Sequence, residues 1–202
     1  GRESRSLVID SIEKRRTFLN IFACGNAVWH KLIKKDLLLD NQIYFPEQVV
    51  YEDAYFETLL HLYASKVYVH EECLYHYYVN ENSTVLTQHA EHHTDWLTVH
   101  MMKWQTWIDR GFLNDYREEL EYEFLWSGFL GFLKLLAYRY EKPPYSLFLL
   151  AKEITLANVP DYSSNKYFEN GFSEFQKILL ETLELPVCRE DFLQVIEMIK
   201  QH

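Results

Sequence analysis

The 202-residue chain carries a formal net charge of −10 and is 48% hydrophobic and 16% aromatic. This composition excludes a disordered chain, and the acidic balance argues against a nucleic-acid interface, which requires a basic surface. The length allows one large domain or two small ones with a buried core. The sequence contains no run of the roughly 20 apolar residues that a membrane span requires.

The three cysteines, Cys24, Cys73 and Cys188, are odd in number and far apart in the sequence. No two of them have the spacing of a disulfide framework, which favours a reducing compartment. We therefore expect a cytoplasmic protein, with peripheral contact at the inner face of the membrane as a further expectation. No cysteine has a sequence context that indicates a nucleophile.

The first fifty residues contain short predicted elements. Apolar residues at helical spacing predict an amphipathic helix over 5–22. A short strand over 27–32 and a short helix over 34–39 are expected next. Residues 43–45 are expected to be extended, because the residue before Pro46 is biased away from the helical region.

A longer helix is predicted over 53–64, where apolar residues recur at helical spacing and Asp53 is a suitable N-cap. The β-branched and aromatic runs at 67–69 and 74–79 predict two strands. They could form a hairpin that turns near Glu71 and Glu72.

The second half of the sequence is predicted to be helical almost throughout. The expected helices cover residues 88–110, 114–141, 144–157, 172–184 and 190–201, separated by glycine, proline and polar breaks. The predicted fold class is α+β, predominantly α-helical. The change of character near residue 86 predicts two units, 1–86 and 87–202.

Glu52 and Asp53 are the strongest candidates for chemistry. A carboxylate at a helix N-terminus is favoured in its ionised form by the helix dipole and by free backbone N–H groups, which suits a general base. The simpler interpretation is that Asp53 only caps its helix while Glu52 is solvated. The spacing leaves both interpretations open.

An ordered set of motifs surrounds this acidic pair. They are Trp29-His30-Lys31-Leu32, Ile43-Tyr44-Phe45-Pro46-Glu47, Tyr51-Glu52-Asp53-Ala54, Leu74-Tyr75-His76-Tyr77 and Asn82-Ser83-Thr84. This order resembles the acceptor-side half of family-2 inverting glycosyltransferases, in particular the bacterial enzymes that build surface polysaccharides. The resemblance covers about sixty residues and implies part of a glycosyltransferase A-type fold, followed by a helical extension.

The resemblance implies a role for each matched residue. Asp53 would be the general base that deprotonates the acceptor hydroxyl, and Glu52 would hold or polarise the site. Trp29 and Tyr51 would line the acceptor site or pack beneath it. Lys31, within a basic cluster completed by Lys34 and Lys35, could contact a diphosphate or an anionic lipid, or simply belong to a solvated face.

Part of the family pattern is missing. The family usually has basic residues after the aromatic string, where this chain has Tyr78 and Asn80, and the sequence contains no Asp-x-Asp motif and no glycine-rich phosphate loop. We therefore expect the C-terminal part of a longer enzyme, an expectation with which a start at Gly1 agrees. The missing half would bind the nucleotide-sugar donor and a divalent metal, Mn or Mg, whereas this portion would have no cofactor and no activity alone. The acceptor would be a sugar or a lipid-linked sugar.

Two further groups of residues have competing interpretations. His89 and His93 lie one helical turn apart and could bind zinc, although a polar, solvated helix start explains them more simply. The tryptophans Trp96, Trp104, Trp107 and Trp126 could stack on a sugar ring or lie on a membrane surface, but their spacing also fits a packed core.

A non-catalytic interaction module is the competing functional hypothesis. Such a module would dock to a partner, to a membrane surface or to a second copy of itself. An acceptor-side fragment would also expose the apolar face that meets the donor half, so self-association is expected. A nucleotide-binding unit encoded upstream of Gly1 would favour the enzyme.

Overall fold

The computed structural model describes residues 5–22, 27–70, 72–78, 80 and 83–202. Strands β1 (Arg5–Val8) and β2 (Lys66–Val69) pair antiparallel. The α-helices are α1 (Ile12–Phe22), α2 (Lys35–Asp40), α3 (Glu52–Tyr63), α4 (Asp95–Asp109), α5 (Phe112–Glu123), α6 (Gly131–Arg139), α7 (Tyr145–Asn158), α8 (Phe168–Gly171), α9 (Glu174–Glu181) and α10 (Arg189–Gln201). Short 3-10 turns occupy Thr84–Leu86, Glu91–Thr94 and Tyr162–Ser164, and a π-helical turn spans Phe124–Leu130.

The predominantly helical character is confirmed. Helices α2 and α3 form where the sequence predicts them, and α4 to α10 occupy the second half. The predicted helix over 114–141 contains the π-helical turn between α5 and α6. Among the described residues, no helix is both long enough and apolar enough to cross a bilayer.

The predicted helix over 5–22 begins too early. Residues 5–8 form β1, and α1 starts only after Ser11, whose Oγ accepts a hydrogen bond from the backbone N–H of Lys14 at 3.2 Å. A serine in this position satisfies a free N–H of the first turn, which fixes the start of a helix. The partner of β1 is β2, so the strand at 67–69 is confirmed but not the predicted hairpin.

Two other predicted strands are wrong. Residues 27–32 contain a turn in which the N–H of Lys31 donates to the carbonyl of Val28 at 3.2 Å. Residues 74–78 have no regular secondary structure and are exposed, and the predicted end of that strand at residue 79 lies outside the described residues. Glu71 and the loop at Gly25 and Asn26 also lie outside them. Aromatic and β-branched composition favours a strand only where a partner strand pairs with it.

One large core joins the two halves of the chain. Leu19 of α1 and Leu62 of α3 belong to the same buried cluster as Trp107, Leu120 and Phe132. A smaller cluster lies between α2 and α3 and consists of Ile43, Phe56, Leu59 and Leu60. The division at residue 86 stays a prediction, but hydrophobic packing fixes α3 against α4 across it.

Arg15 fixes the far end of α3. Its buried guanidinium donates to the carbonyl of His61 at 2.7 Å and to that of Ala64 at 2.6 Å. The last carbonyls of a helix have no partner within the helix, and a cation there also interacts favourably with the helix dipole. Helix α3 is therefore held rigidly from its C-terminal end, while its N-terminus carries the acidic pair.

Candidate functional site

Helix α3 presents three titratable side chains along one face. Asp53, Glu57 and His61 are spaced four residues apart, so they lie one above the other. Glu57 is only 1% exposed, and its carboxylate contacts the ammonium group of Lys31 and lies 3.1 Å from Nε2 of His61. Lys31 also donates to the carbonyl of Ala27 at 2.7 Å. The loop that carries Lys31 is thus fastened to the face of α3 on which Asp53 lies.

Asp53 lies in the first turn of α3 and does not cap it. The cap residue is Tyr51, whose side chain makes no capping hydrogen bond, so the predicted N-cap is wrong. Burial raises the pKa of Asp53 to about 6, helped by the neighbouring charge of Glu52 and opposed by the N–H of Ala54. The expected stabilisation of the ionised form by the helix N-terminus is therefore outweighed by desolvation.

The half-buried Asp53 can gain and lose a proton near neutral pH. General bases work best when their pKa lies near the working pH, because enough of the group is ionised while it still binds a proton strongly. Glu52 lies beside it in the same turn and is also half-buried. Its charge is the second largest cause of the raised pKa of Asp53, after burial. These two acids form an arrangement that can deprotonate a hydroxyl group.

Tyr51 is part of a buried hydrogen-bonded chain. Its hydroxyl lies 2.7 Å from Nδ1 of His93, whose Nε2 lies 2.6 Å from the carbonyl of Thr87. A carbonyl only accepts, so Nε2 carries the proton, Nδ1 is the acceptor and the Tyr51 hydroxyl is the donor. Burial raises the pKa of Tyr51 to about 12, which keeps this donor protonated.

Tyr51 also has an unusual backbone conformation. Its φ is +69° and its ψ is 23°, a left-handed conformation that costs free energy for a residue with a Cβ. The hydrogen bond to His93 and the edge contact with Trp96, with ring centroids 5.0 Å apart, hold the residue there. Because Tyr51 immediately precedes Glu52, this strained residue sets the direction in which the acidic pair leaves the loop.

Trp29 is 47% exposed and forms an aromatic platform with Tyr75 and Tyr77. Its ring centroid lies 4.6 Å from that of Tyr75 and 5.0 Å from that of Tyr77, and the latter pair is stacked. Because Trp29 is two residues from Lys31, this aromatic platform adjoins the loop fastened to α3. Exposed aromatic faces of this kind can stack on sugar rings.

The three lysines of the predicted basic cluster have different environments. Lys31 is paired with the buried Glu57, so its charge is balanced within the protein. Lys34 and Lys35 are exposed at the start of α2. The structure therefore separates Lys31 from the other two cations with which the sequence grouped it.

His89 and His93 do not form the zinc pair that was considered. His93 is fully buried, and both of its ring nitrogens are occupied by Tyr51 and Thr87. Within the described residues, no group of three or more metal-ligating side chains lies close together. The alternative, a polar and solvated helix start, is also wrong for His93, because its ring anchors Tyr51. The tryptophans differ in burial. Trp104 and Trp107 lie in the core, whereas Trp96 is half-buried beside Tyr51.

Sequence reasoning missed the residues that support the acidic pair. Glu57 and His61 carried a usable signal, because their spacing from Asp53 places all three on one helical face. His93 carried no such signal, because it contacts Tyr51, which lies 42 residues away in the sequence. Comparison with family models, with curated proteins and with solved structures found no match to this chain.

Proposed function

We propose that this chain is the acceptor-side, C-terminal part of an inverting family-2 glycosyltransferase of surface polysaccharide synthesis, with Asp53 as the general base. The observation that supports this most directly is the half-buried Asp53 carboxyl, whose pKa is raised to about 6 at the start of α3. Its position within the motif order of the family is the second support. In this proposal the fold is a partial glycosyltransferase A-type unit followed by a helical extension.

The proposed reaction transfers a sugar from a nucleotide-diphosphate donor to an acceptor hydroxyl. Asp53 takes the hydroxyl proton as the oxygen forms a bond to the anomeric carbon, and the bond from that carbon to the diphosphate breaks on the opposite face. The configuration of the carbon is inverted. The charge of Glu52 keeps Asp53 a strong proton acceptor, while the aromatic platform of Trp29, Tyr75 and Tyr77 offers a stacking surface for the acceptor sugar.

The donor site belongs to a part of the enzyme outside these 202 residues in this proposal. A divalent Mn or Mg ion bound there would stabilise the leaving diphosphate. The chain would then be inactive alone and active only when joined to the donor half. Lys31 serves as a positioning residue for the acceptor loop, through Glu57, rather than as a direct ligand of the diphosphate.

The test is sugar transfer by a longer natural chain that includes the residues encoded upstream of Gly1. We expect those residues to contain a strand–helix nucleotide unit with an Asp-x-Asp motif. The longer chain should release a nucleoside diphosphate when it is given the correct sugar donor and acceptor, whereas residues 1–202 alone should not. An unrelated upstream sequence would contradict the proposal.

A second candidate function, docking to a further copy of the chain, is favoured by exposed apolar side chains near the aromatic platform. Leu74 is 74% exposed and Tyr78 is 90% exposed. Large exposed apolar patches on soluble domains mark interaction surfaces. A docking module would show association that does not depend on Asp53 and would show no transferase activity in the longer chain.

A further inference from the structure

Tyr51 also forms part of the wall of a small cavity that has basic residues in its lining. Its volume is about 190 Å³. It is lined by Tyr51, Val85, Trp96, Lys134, Leu135, Tyr138 and Arg139. This volume is below the roughly 300 Å³ at which pockets begin to hold drug-sized ligands, so the cavity suits a headgroup rather than a whole molecule.

The charge of the cavity is opposite to that of the chain. Its lining contains two cations and no carboxylate, although the protein carries a net charge of −10. Within the part of the chain that the structure describes, neither Lys134 nor Arg139 has a carboxylate within ion-pair distance, and the ammonium group of Lys134 lies 5.9 Å from the centroid of the Trp126 ring. No acidic side chain therefore competes with an anionic ligand for their positive charge.

The charge of the lining favours a phosphoryl group over a carboxylate. A phosphoryl group carries a charge of about −1.5 to −2 and three acceptor oxygens, whereas a carboxylate carries a single charge. Nε of Arg139 donates to the carbonyl of Val85 at 2.6 Å and Nη1 donates to that of Tyr138 at 3.4 Å, and neither of these bonds uses Nη2. The ammonium group of Lys134 extends from a different turn of α6, so the two cations can contact different oxygens of one phosphoryl group.

The cavity lies next to the acidic pair in the chain, because Tyr51 belongs to both sites. Tyr51 forms one wall, and the residues that follow it are Glu52 and Asp53. The charge of Arg139 lowers the pKa of Tyr51 more strongly than the charge of Asp95 or Asp53 raises it. A ligand bound by Arg139 would therefore lie against the residue that sets the direction of the catalytic pair.

We infer that this cavity is a phosphoryl-binding subsite, formed by α6 of the helical extension and by the loop at Val85. Resting on the proposed function, it would hold the phosphate or diphosphate of the acceptor, with the acceptor sugar extending past Tyr51 toward Asp53. The inference assigns a substrate class, phosphate-bearing acceptors, and gives the helical extension a role in acceptor binding.

The test is calorimetric titration of the 202-residue chain with inorganic pyrophosphate at low ionic strength. The double variant Lys134→Gln/Arg139→Gln should weaken binding by a factor of about ten or more, since it removes both cations of the cavity and low salt leaves their attraction for an anion unscreened. The control Lys34→Gln/Lys35→Gln removes the same charge from an exposed surface and should leave binding unchanged. Equal weakening by both variants, or none by the cavity variant, would overturn the inference.

Two further variants distinguish loss of the binding site from a disturbance of the fold. Because Arg139 also binds the loop at Val85, its loss could disturb that loop. Val85→Glu places a carboxylate at the exposed rim and should abolish pyrophosphate binding without removing this contact. Arg139→Lys retains the charge and should retain most of the binding; loss of binding here with no loss in Val85→Glu would count against the subsite.

Vesicles containing phosphatidylglycerol distinguish the sources of the phosphoryl group. If they cosediment with the wild type but not with the cavity variant, the phosphoryl group is that of a lipid; if only pyrophosphate binds, it belongs to a soluble molecule. Binding to neither overturns the inference. Asp53→Asn should leave this binding intact, so failure of the proposed catalytic role and failure of the subsite give different results.

Discussion

At the scale of single residues, Asp53 and Glu57 are one helical turn apart and yet have opposite pKa shifts. Burial raises the pKa of both carboxyl groups, but in Glu57 the adjacent His61 and Lys31 side chains more than reverse it. Asp53 has Glu52 beside it instead of a cation. Two acids with diverging pKa values on one face are a common arrangement in active sites, where one stays charged and the other exchanges protons.

The titration of Asp53 gives the first prediction. Because its folded pKa of about 6 lies above the unfolded value, the folded state binds the proton more tightly, and this stabilisation is lost as pH rises toward and through 6. Relative to Asp53→Asn, the wild type should lose about 1 kcal/mol of unfolding free energy between pH values of about 4 and 7, allowing for partial solvent exposure. Urea unfolding at both pH values measures this difference.

The exposed acid Asp36 provides the control for this comparison. Asp36→Asn should leave the difference between the two pH values as it is in the wild type. Carbon NMR of the Asp53 carboxyl group gives an independent reading, with an expected midpoint near pH 6. A midpoint near the ordinary value of an aspartate would show that burial does not control this group.

The hydroxyl of Tyr51 gives the second prediction. Tyr51→Phe removes the donor to Nδ1 of the fully buried His93 and leaves that nitrogen without a partner. The expected loss of unfolding free energy is about 1–3 kcal/mol, the cost of an unsatisfied buried polar group. Tyr44→Phe, at an exposed tyrosine, should change stability by less than about 0.5 kcal/mol. Equal effects in the two variants would show that the hydrogen bond contributes nothing.

At the scale of the elements, the π-helical turn Phe124–Leu130 shapes the wall behind Tyr51. Nε1 of Trp96 donates to the carbonyl of Gly128 at 3.1 Å, and Nε2 of His100 lies 3.1 Å from Oγ of Ser127. Turns of this kind insert an extra residue into a helix and are frequent at functional sites. Here the turn positions Trp96, which contacts Tyr51 and lines the basic cavity.

The close packing of Trp96 against the start of α6 gives the third prediction. A Cβ added at Gly131 would lie 2.7 Å from Cζ2 of Trp96, whereas one added at Gly128 would lie 3.2 Å from the ring of His100. Gly131→Ala should destabilise the protein by about 1–3 kcal/mol, despite the higher helix propensity of alanine. Gly128→Ala is the matched control and should cost less. Thermal unfolding of both variants tests this order, and the reverse order would contradict the packing described.

The elements also show which parts of the sequence were informative. Helices α3 to α7 follow from apolar periodicity, because α4 to α7 bury apolar residues in the large core and α3 does so in both clusters. The strand expected at 74–79 fails since composition does not show whether a partner strand exists. The partner of β2 is β1 near the start of the chain, not the adjacent segment. Helix α1 was extended too far because the capping by Ser11 was not recognised.

At the scale of the whole molecule, the sequence singles out Asp53 as a candidate but does not predict its surroundings. The pair Glu52 and Asp53 could be singled out from local order alone. The bonds of His93 to Tyr51 and of Lys31 to Glu57 depend on how distant segments pack, which no local pattern records. For the same reason the sequence grouped Lys31 with the exposed Lys34 and Lys35.

The exposed aromatic surface gives the fourth prediction. Leu74, Tyr75 and Tyr78 remain exposed in the 202-residue chain, and we expect them to drive self-association. Sedimentation velocity should show a sedimentation coefficient that rises with concentration, and Tyr75→Ser/Tyr78→Ser should weaken association by about tenfold or more. Tyr44→Ser, at another exposed tyrosine, is the control and should leave association unchanged. A monomer at all concentrations would contradict this prediction.

The most direct measurement of the central claim is the turnover of Asp53→Asn in the longer chain that carries the donor half. If Asp53 is the general base, kcat should fall by a factor of about one hundred or more, with Tm and pyrophosphate binding close to wild type. In the wild type, kcat/KM should decrease below pH 6, as the carboxyl group becomes protonated. If Asp53→Asn retained a kcat close to that of the wild type, that result would contradict the account.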